Sequence, residues 1–215
     1  MRQSETLNGE VRGIRCGTSG LASVHSPGPA TKSMTLQASH LVQLQLPLPW
    51  EVFGFPAQWI GRSVRLTTGD PAWTWSGEPP AFDIPLVEES STATTGVEGW
   101  AVDHVVLLVP DLTEAVTTFA QLDLAPRLAI KVKGRPAAFF RAGPIIEVIE
   151  SPVRGPSLYG LTLVADEHLE AIALRWRARG LNVSSVRHAI QPGRRIFTVR
   201  DTEAGFAVMS PDRAR

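Results

Sequence analysis

With 21 basic and 21 acidic residues among 215, the chain has no formal net charge, so nothing global draws it to nucleic acid or to an anionic membrane surface. Its single cysteine, Cys16, excludes an intrachain disulfide, and no apolar run is long enough to cross a bilayer. These bounds describe a globular protein of one large or two small domains, expected in the cytoplasm, with a small molecule as its partner.

Residues 1–33 are polar, rich in Gly, Ser and Thr, and broken by Pro27 and Pro29. Such a stretch offers too little apolar surface to offset the entropy of ordering, and it reads as a disordered tail. Glu5, Arg12 and Arg15 interrupt any apolar core of signal-peptide length. Met34 stands at the end of the tail and is an alternative start of translation.

Residues 34–98 read as a shortened copy of a βαβββ unit, followed by a linker. HLVQLQLPL, residues 40–48, alternates as a strand does, and PWEVFGF leaves room for one turn. WIGRSVRLTTG reads as two short strands around Gly61 and Arg62, while Pro47, Pro49 and Pro56 allow little helix. Residues 69–100 hold Trp73, Trp75 and a double proline, and suggest an extended arm whose tryptophans anchor on a neighbouring sheet.

Residues 99–215 carry the strongest pattern, a βαβββ unit present twice. In the first copy, residues 103–109 form an apolar strand. Asp111 is placed to cap the helix over 113–122, with Glu114 three residues on. Strands at 127–132, 137–141 and 145–150 follow, separated by turns at Gly134-Arg135-Pro136 and Gly143-Pro144. The second copy has a strand at 158–164 and a helix over 167–179 that presents Leu169, Ile172 and Trp176 to one side and ends at Gly180. Its remaining strands are expected at 182–187, 195–200 and 206–210. The fold class is α+β.

VDHVVLLVPDL, FFRAGPIIEVIE, LYGLTLVADEHL and QPGRRIFTVRDTEAGFAVMSP, taken in order over about residues 101–211, resemble the vicinal oxygen chelate superfamily of glyoxalase, bleomycin-resistance and extradiol-dioxygenase proteins, in particular a glyoxalase-like branch. The resemblance implies a curved eight-stranded sheet around a cleft, with ligand or metal held by residues of the first and last strand of each unit. On that pattern His104 and Glu147 occupy two metal positions of the first unit, while Tyr159 and Ala207 stand at those of the second. Two of four protein ligands are then missing, whereas a catalytic metal normally has three. His188 and His168 are the histidines left to supply a third.

The sequence-based expectation is therefore a cleft protein that binds a small organic ligand without a complete metal site and without other cofactor. A divalent Zn, Fe, Ni or Mn ion, held by His104 and Glu147, belongs to the alternative, a metal-dependent lyase, isomerase or dioxygenase. His104 and Glu147 are the candidate catalytic pair, with Glu147 either a carboxylate of raised pKa or simply the partner of Arg141. Tyr159, Arg141, Gln191, Arg194 and Met209 are the candidate ligand contacts, and Val106, Leu108, Ile145, Leu161 and Met209 the candidate apolar walls. A third reading makes the Trp73 and Trp75 arm an assembly surface. A homodimer would fit the superfamily's habit of pairing units between chains.

Overall fold

The computed structural model describes residues 38–88 and 95–212. The expected tail and the start at Met34 lie outside the described residues.

The first strands build a five-stranded sheet. β1 (His40–Leu46) leads into a single helical turn, α1 (Trp50–Phe53), which stops at Gly54, where a left-handed φ of 92° turns the chain and the N–H bonds back to Glu51. β2 (Gln58–Gly61) and β3 (Val64–Thr68) form a hairpin at Arg62, then come β4 (Ala72–Ser76) and the short β5 (Thr95–Gly96). The order is β4-β1-β3-β2-β5, with β1 parallel to β3 and antiparallel to β4. The segment expected as an extended arm thus supplies a paired strand. Trp73 is fully buried and Trp75 nearly so, because alternate residues of β4 face the core.

The remaining elements build an eight-stranded sheet: β6 (Trp100–Val109), α2 (Leu112–Ala120), β7 (Leu128–Val132), β8 (Arg135–Arg141), β9 (Ile145–Glu150), β10 (Ser157–Ala165), α3 (Leu169–Ala178), β11 (Arg187–His188), β12 (Arg195–Val199) and β13 (Gly205–Met209). Its order, β11-β12-β13-β10-β6-β9-β8-β7, has the two units back to back. In each, the first strand lies parallel to the last, β6 to β9 and β10 to β13, which requires the crossover helix between them. Antiparallel pairing of β6 with β10 joins the copies. Both helix ends follow the sequence. The Asp111 carboxylate accepts the N–H groups of Thr113 and Glu114, and Gly180, at φ 85°, receives the chain after α3.

One expected strand, 182–187, is reduced to Arg187–His188 and an isolated bridge from Val183 to Val199. Beside that bridge the Ser184 hydroxyl accepts the Thr198 N–H, so a side chain takes a place the ladder would otherwise fill.

Residues paired across the strands share a face. Val105, Ile146 and Phe140 form one such row, and Val105, Leu161 and Phe206 another, all buried against the helices. Leu161, expected as a cleft wall, belongs to this helix-side core because its register partner is Val105. Phe119 of α2 stacks on Phe140 at 4.3 Å, and Trp176 of α3 lies 5.7 Å from Phe206. Each such side chain contributes about 1.5–3 kcal/mol by leaving water. The small sheet closes the same side: Phe53 packs on Phe206 at 4.8 Å, and the Trp176 indole donates to the Phe53 carbonyl at 3.0 Å. With the helix side covered, the opposite face of the large sheet is left for the cleft.

Candidate functional site

His104 in β6 and Thr162 in β10 are directly paired, and the next pair is Val102 with Leu163, so Asp103 is the extra residue of a β-bulge. Without the bulge, sequence neighbours would project to opposite faces. With it, the Asp103 carboxylate meets His104 Nδ1 at 2.9 Å and accepts a bond from Arg194 Nη2 at 2.7 Å. Arg194 also donates through Nε to the Ser210 carbonyl, so it fastens the end of the second unit to the first strand of the first unit. On the other side of the imidazole, Nε2 stands 3.2 Å from Glu147 Oε2. The side chains of Arg194, Asp103, His104 and Glu147 are each 15% exposed or less and form one continuous polar line.

Burial acts oppositely on its two carboxyls. For Asp103 the loss of solvent would raise the pKa, but the bonds from His104 and Arg194 and their charge outweigh it and hold the group below its ordinary value. For Glu147 burial dominates, only partly opposed by His104 and Lys133, and pushes the carboxyl up. A neutral imidazole has one N–H to offer two carboxylates. A further proton at the Glu147 contact satisfies both.

Glu147 is also where this line meets open space. A cavity of about 660 Å³ is lined by Glu147, Arg141 and Ile145, by Leu128, Ile130 and Val132 of β7, and by the loop residues Ile190 and Gln191 of the second unit. That volume suits a small organic molecule. β7 lines it through alternate residues, as a strand must. A second hollow of about 400 Å³, at Arg62, Glu98 and Asp166, shares no residue with it.

The other sequence candidates are placed as follows. Arg141 and Gln191 line the cavity, and Arg141 is not paired with Glu147, whose partner is His104. Arg194 is spent on Asp103 and Ser210. Met209 is buried, in register with Val164 and Ile196. Tyr159 is the extra residue of a second bulge in β10, is 54% exposed, and sets its ring over Gly205. Val106 and Leu108 are half-buried on the cleft side, in the rows of Glu147 and Ile149. Asp103 was not legible in the sequence, since a bulge has no local signature there. The β7 residues Leu128, Ile130 and Val132 were not among the expected walls, although the alternation in LAIKV was a signal that could have found them.

Two donors of the kind a metal uses are present, and 3.2 Å between them is close to the ~3.3 Å expected of two ligands on one tetrahedral zinc. The second unit adds none: Ala207 presents a methyl group and Thr162 a hydroxyl, and among the described residues no group of three or more His, Cys, Asp or Glu is placed to hold an ion. His188 and His168 join no such group. The donor set falls short of a three-ligand catalytic centre.

The fold and site together define an α+β protein of paired βαβββ units with one polar line opening into one apolar cavity. No family model matches the chain, and no curated protein does. Among solved structures it is similar to methylmalonyl-CoA epimerase from Mycobacterium tuberculosis, at 18% identity over 51% of this chain and 87% of that one, with a TM-score of 0.44. A hypothetical protein from Bacillus halodurans aligns at 14% identity over 55% and 99%, with a TM-score of 0.47. Streptomyces coelicolor methylmalonyl-CoA epimerase in complex with 2-nitronate-propionyl-CoA aligns at 14% over 52% and 94%, with a TM-score of 0.44.

Proposed function

We propose that the protein binds a small organic molecule in the cavity, with the apolar residues of β7 and Ile190 against its body and Glu147 against a polar group. The observation that carries this is the position of Glu147, a buried carboxyl that is at once the end of the Arg194–Asp103–His104 line and part of a 660 Å³ cavity wall. His104 meets Glu147 through Oε2 alone, and the other carboxyl oxygen is available to a polar group of the ligand. The same burial, which raises the Glu147 pKa, favours a second reading in which Glu147 exchanges a proton with the bound molecule, His104 orienting it from behind. Neither reading routes a step through a metal.

The test joins metal content with ligand response. Untagged protein and its Glu147→Ala variant are measured by elemental mass spectrometry, and both are screened against small organic molecules by thermal shift. The expected result is substoichiometric metal in both and a stabilising ligand whose effect persists in chelator and falls in the variant. Near-stoichiometric metal that Glu147→Ala abolishes would overturn the metal-free reading.

A further inference from the structure

The cavity wall is unusual in what it leaves uncovered. Leu128 is 50% exposed, Ile130 36% and Ile190 71%, although most large apolar side chains of the described residues are in the core. They stand on two sides of the cavity, the first two on β7 and the third on the loop of the other unit. A contiguous apolar lining of this kind marks a surface meant to be covered.

The charges around it have a sign. Three ionisable residues line the cavity, Arg127, Arg141 and Glu147, two cations against one carboxyl. A third cation, Lys133, is near enough to act on Glu147. Three other arginines of the two units are held in ion pairs: Arg194 with Asp103, Arg175 with Glu167 and Arg195 with Glu170. Arg127 and Arg141 join no ion pair among the described residues, and the one bond of Arg141 is a marginal 3.5 Å contact with the Gly143 carbonyl. Arg141 pairs in register with Ile145, which itself pairs with His104, so it lies on the cleft side of the sheet.

We propose that the molecule held in the cavity is an amphipathic organic anion, its apolar body against Leu128, Ile130 and Ile190 and its carboxylate, sulfonate or phosphate on Arg141 and Arg127. This rests on the cleft-binding reading above and names the ligand class. A neutral ligand would leave the two guanidiniums unmatched, and a cation would be repelled. A second copy of the chain set on this face would bury the Arg127 and Arg141 guanidiniums against a lining whose one carboxyl, Glu147, is already held by His104, which disfavours it as the cover.

The test uses two fluorescent probes of one apolar skeleton, anilinonaphthalene sulfonate and the uncharged phenylnaphthylamine, titrated into the full chain and into an Arg127→Gln/Arg141→Gln variant. Both substituted residues are exposed, so the variant is expected to keep the native near-ultraviolet circular dichroism and melting temperature. The sulfonate should bind the native protein about tenfold or more tightly than the neutral probe, as a charge-assisted contact gives. That preference should vanish in the variant while the neutral probe binds as before. Equal affinity of the two probes for the native chain would overturn the anionic class and leave the cleft reading standing. Binding of neither probe would sink both. Loss of probe binding as protein concentration rises, with a matching rise in molar mass by light scattering, would overturn the proposal in favour of a second copy as the cover.

Discussion

Asp103 joins the two halves of the site, accepting from His104 of its own strand and from Arg194 of the other unit. Replacing it by Asn leaves the guanidinium of Arg194 buried without an anion, and Asp103→Asn is expected to cost about 3 kcal/mol. A lower urea midpoint at unchanged slope would show this. The two carboxyls also give stability opposite pH dependences. Asp103 has a folded value below the ordinary 3.8, so its contribution is complete above that pH and is lost as the pH falls through the lower value. Glu147 has a folded value above the ordinary 4.5, so between the two the native state holds the extra proton and stability falls as pH rises. Melting temperatures taken between about pH 4 and 8 should show that fall in the native protein and a flatter profile in Glu147→Gln. An unchanged slope in the variant would assign it to another group.

At the scale of the elements, the parallel pair β10 and β13 approaches closely at Gly160 and Gly205, which are register partners. A Cβ on Gly160 would lie 1.9 Å from the Gly205 carbonyl oxygen, so backbone and not a side chain would have to move. Gly160→Ala is expected to destabilise the protein by about 3 kcal/mol or to prevent folding. Gly205 differs in its neighbour. A Cβ there would meet the Tyr159 ring at 2.5 Å, and that ring is half exposed and able to swing away. Gly205→Ala should therefore cost much less, and Tyr159→Ala in the same chain should relieve most of what it costs, a coupling that a double-mutant cycle reads directly. The bulges at Asp103 and Tyr159 lie on the same strand pair, β6 with β10, which is where the two repeats join. One pulls a carboxylate into the polar line and the other turns a phenol outward.

On the scale of the whole molecule, the small sheet shares the large sheet's core. Trp50 and Phe53 pack on Phe206, Phe55 on Trp100, and Phe82 on Phe119. β1 and β3 repeat the parallel relation of β6 and β9, β2 continues it as β8 does, and β4 joins β1 from the other side as β10 joins β6. A chain starting near Trp100 would leave Trp176 and Phe206 uncovered. The two sheets are accordingly expected to unfold in one transition, with tryptophan fluorescence and far-ultraviolet circular dichroism giving coincident curves. Trp176→Phe removes the bond to the Phe53 carbonyl and should lower the stability read from that single transition by about 1–2 kcal/mol. Two separated transitions would show instead that the sheets are energetically independent.

The sequence by itself determined the repeat, because turn chemistry and the pattern of apolar residues are local: Asp111 and Gly180 bound the helices, and the partial alternation of HLVQLQL and the short apolar run of IIEVIE mark strands. The resemblance of its motifs to the vicinal oxygen chelate pattern also brought His104 and Glu147 to notice, as a histidine and a carboxylate in the first and last strands of one unit. Only the tertiary structure decided the rest. Leu161 belongs to the core and not to the cleft because strand register, set by the whole sheet, chooses the face. Asp103 enters the site because one residue is left over when β6 pairs with β10, a matter of two strands about sixty residues apart and not of either alone. Arg194 reads in the sequence as a candidate ligand contact. It becomes a buried clamp because the second unit folds back to Asp103, and long-range pairing of that kind leaves no trace in local composition.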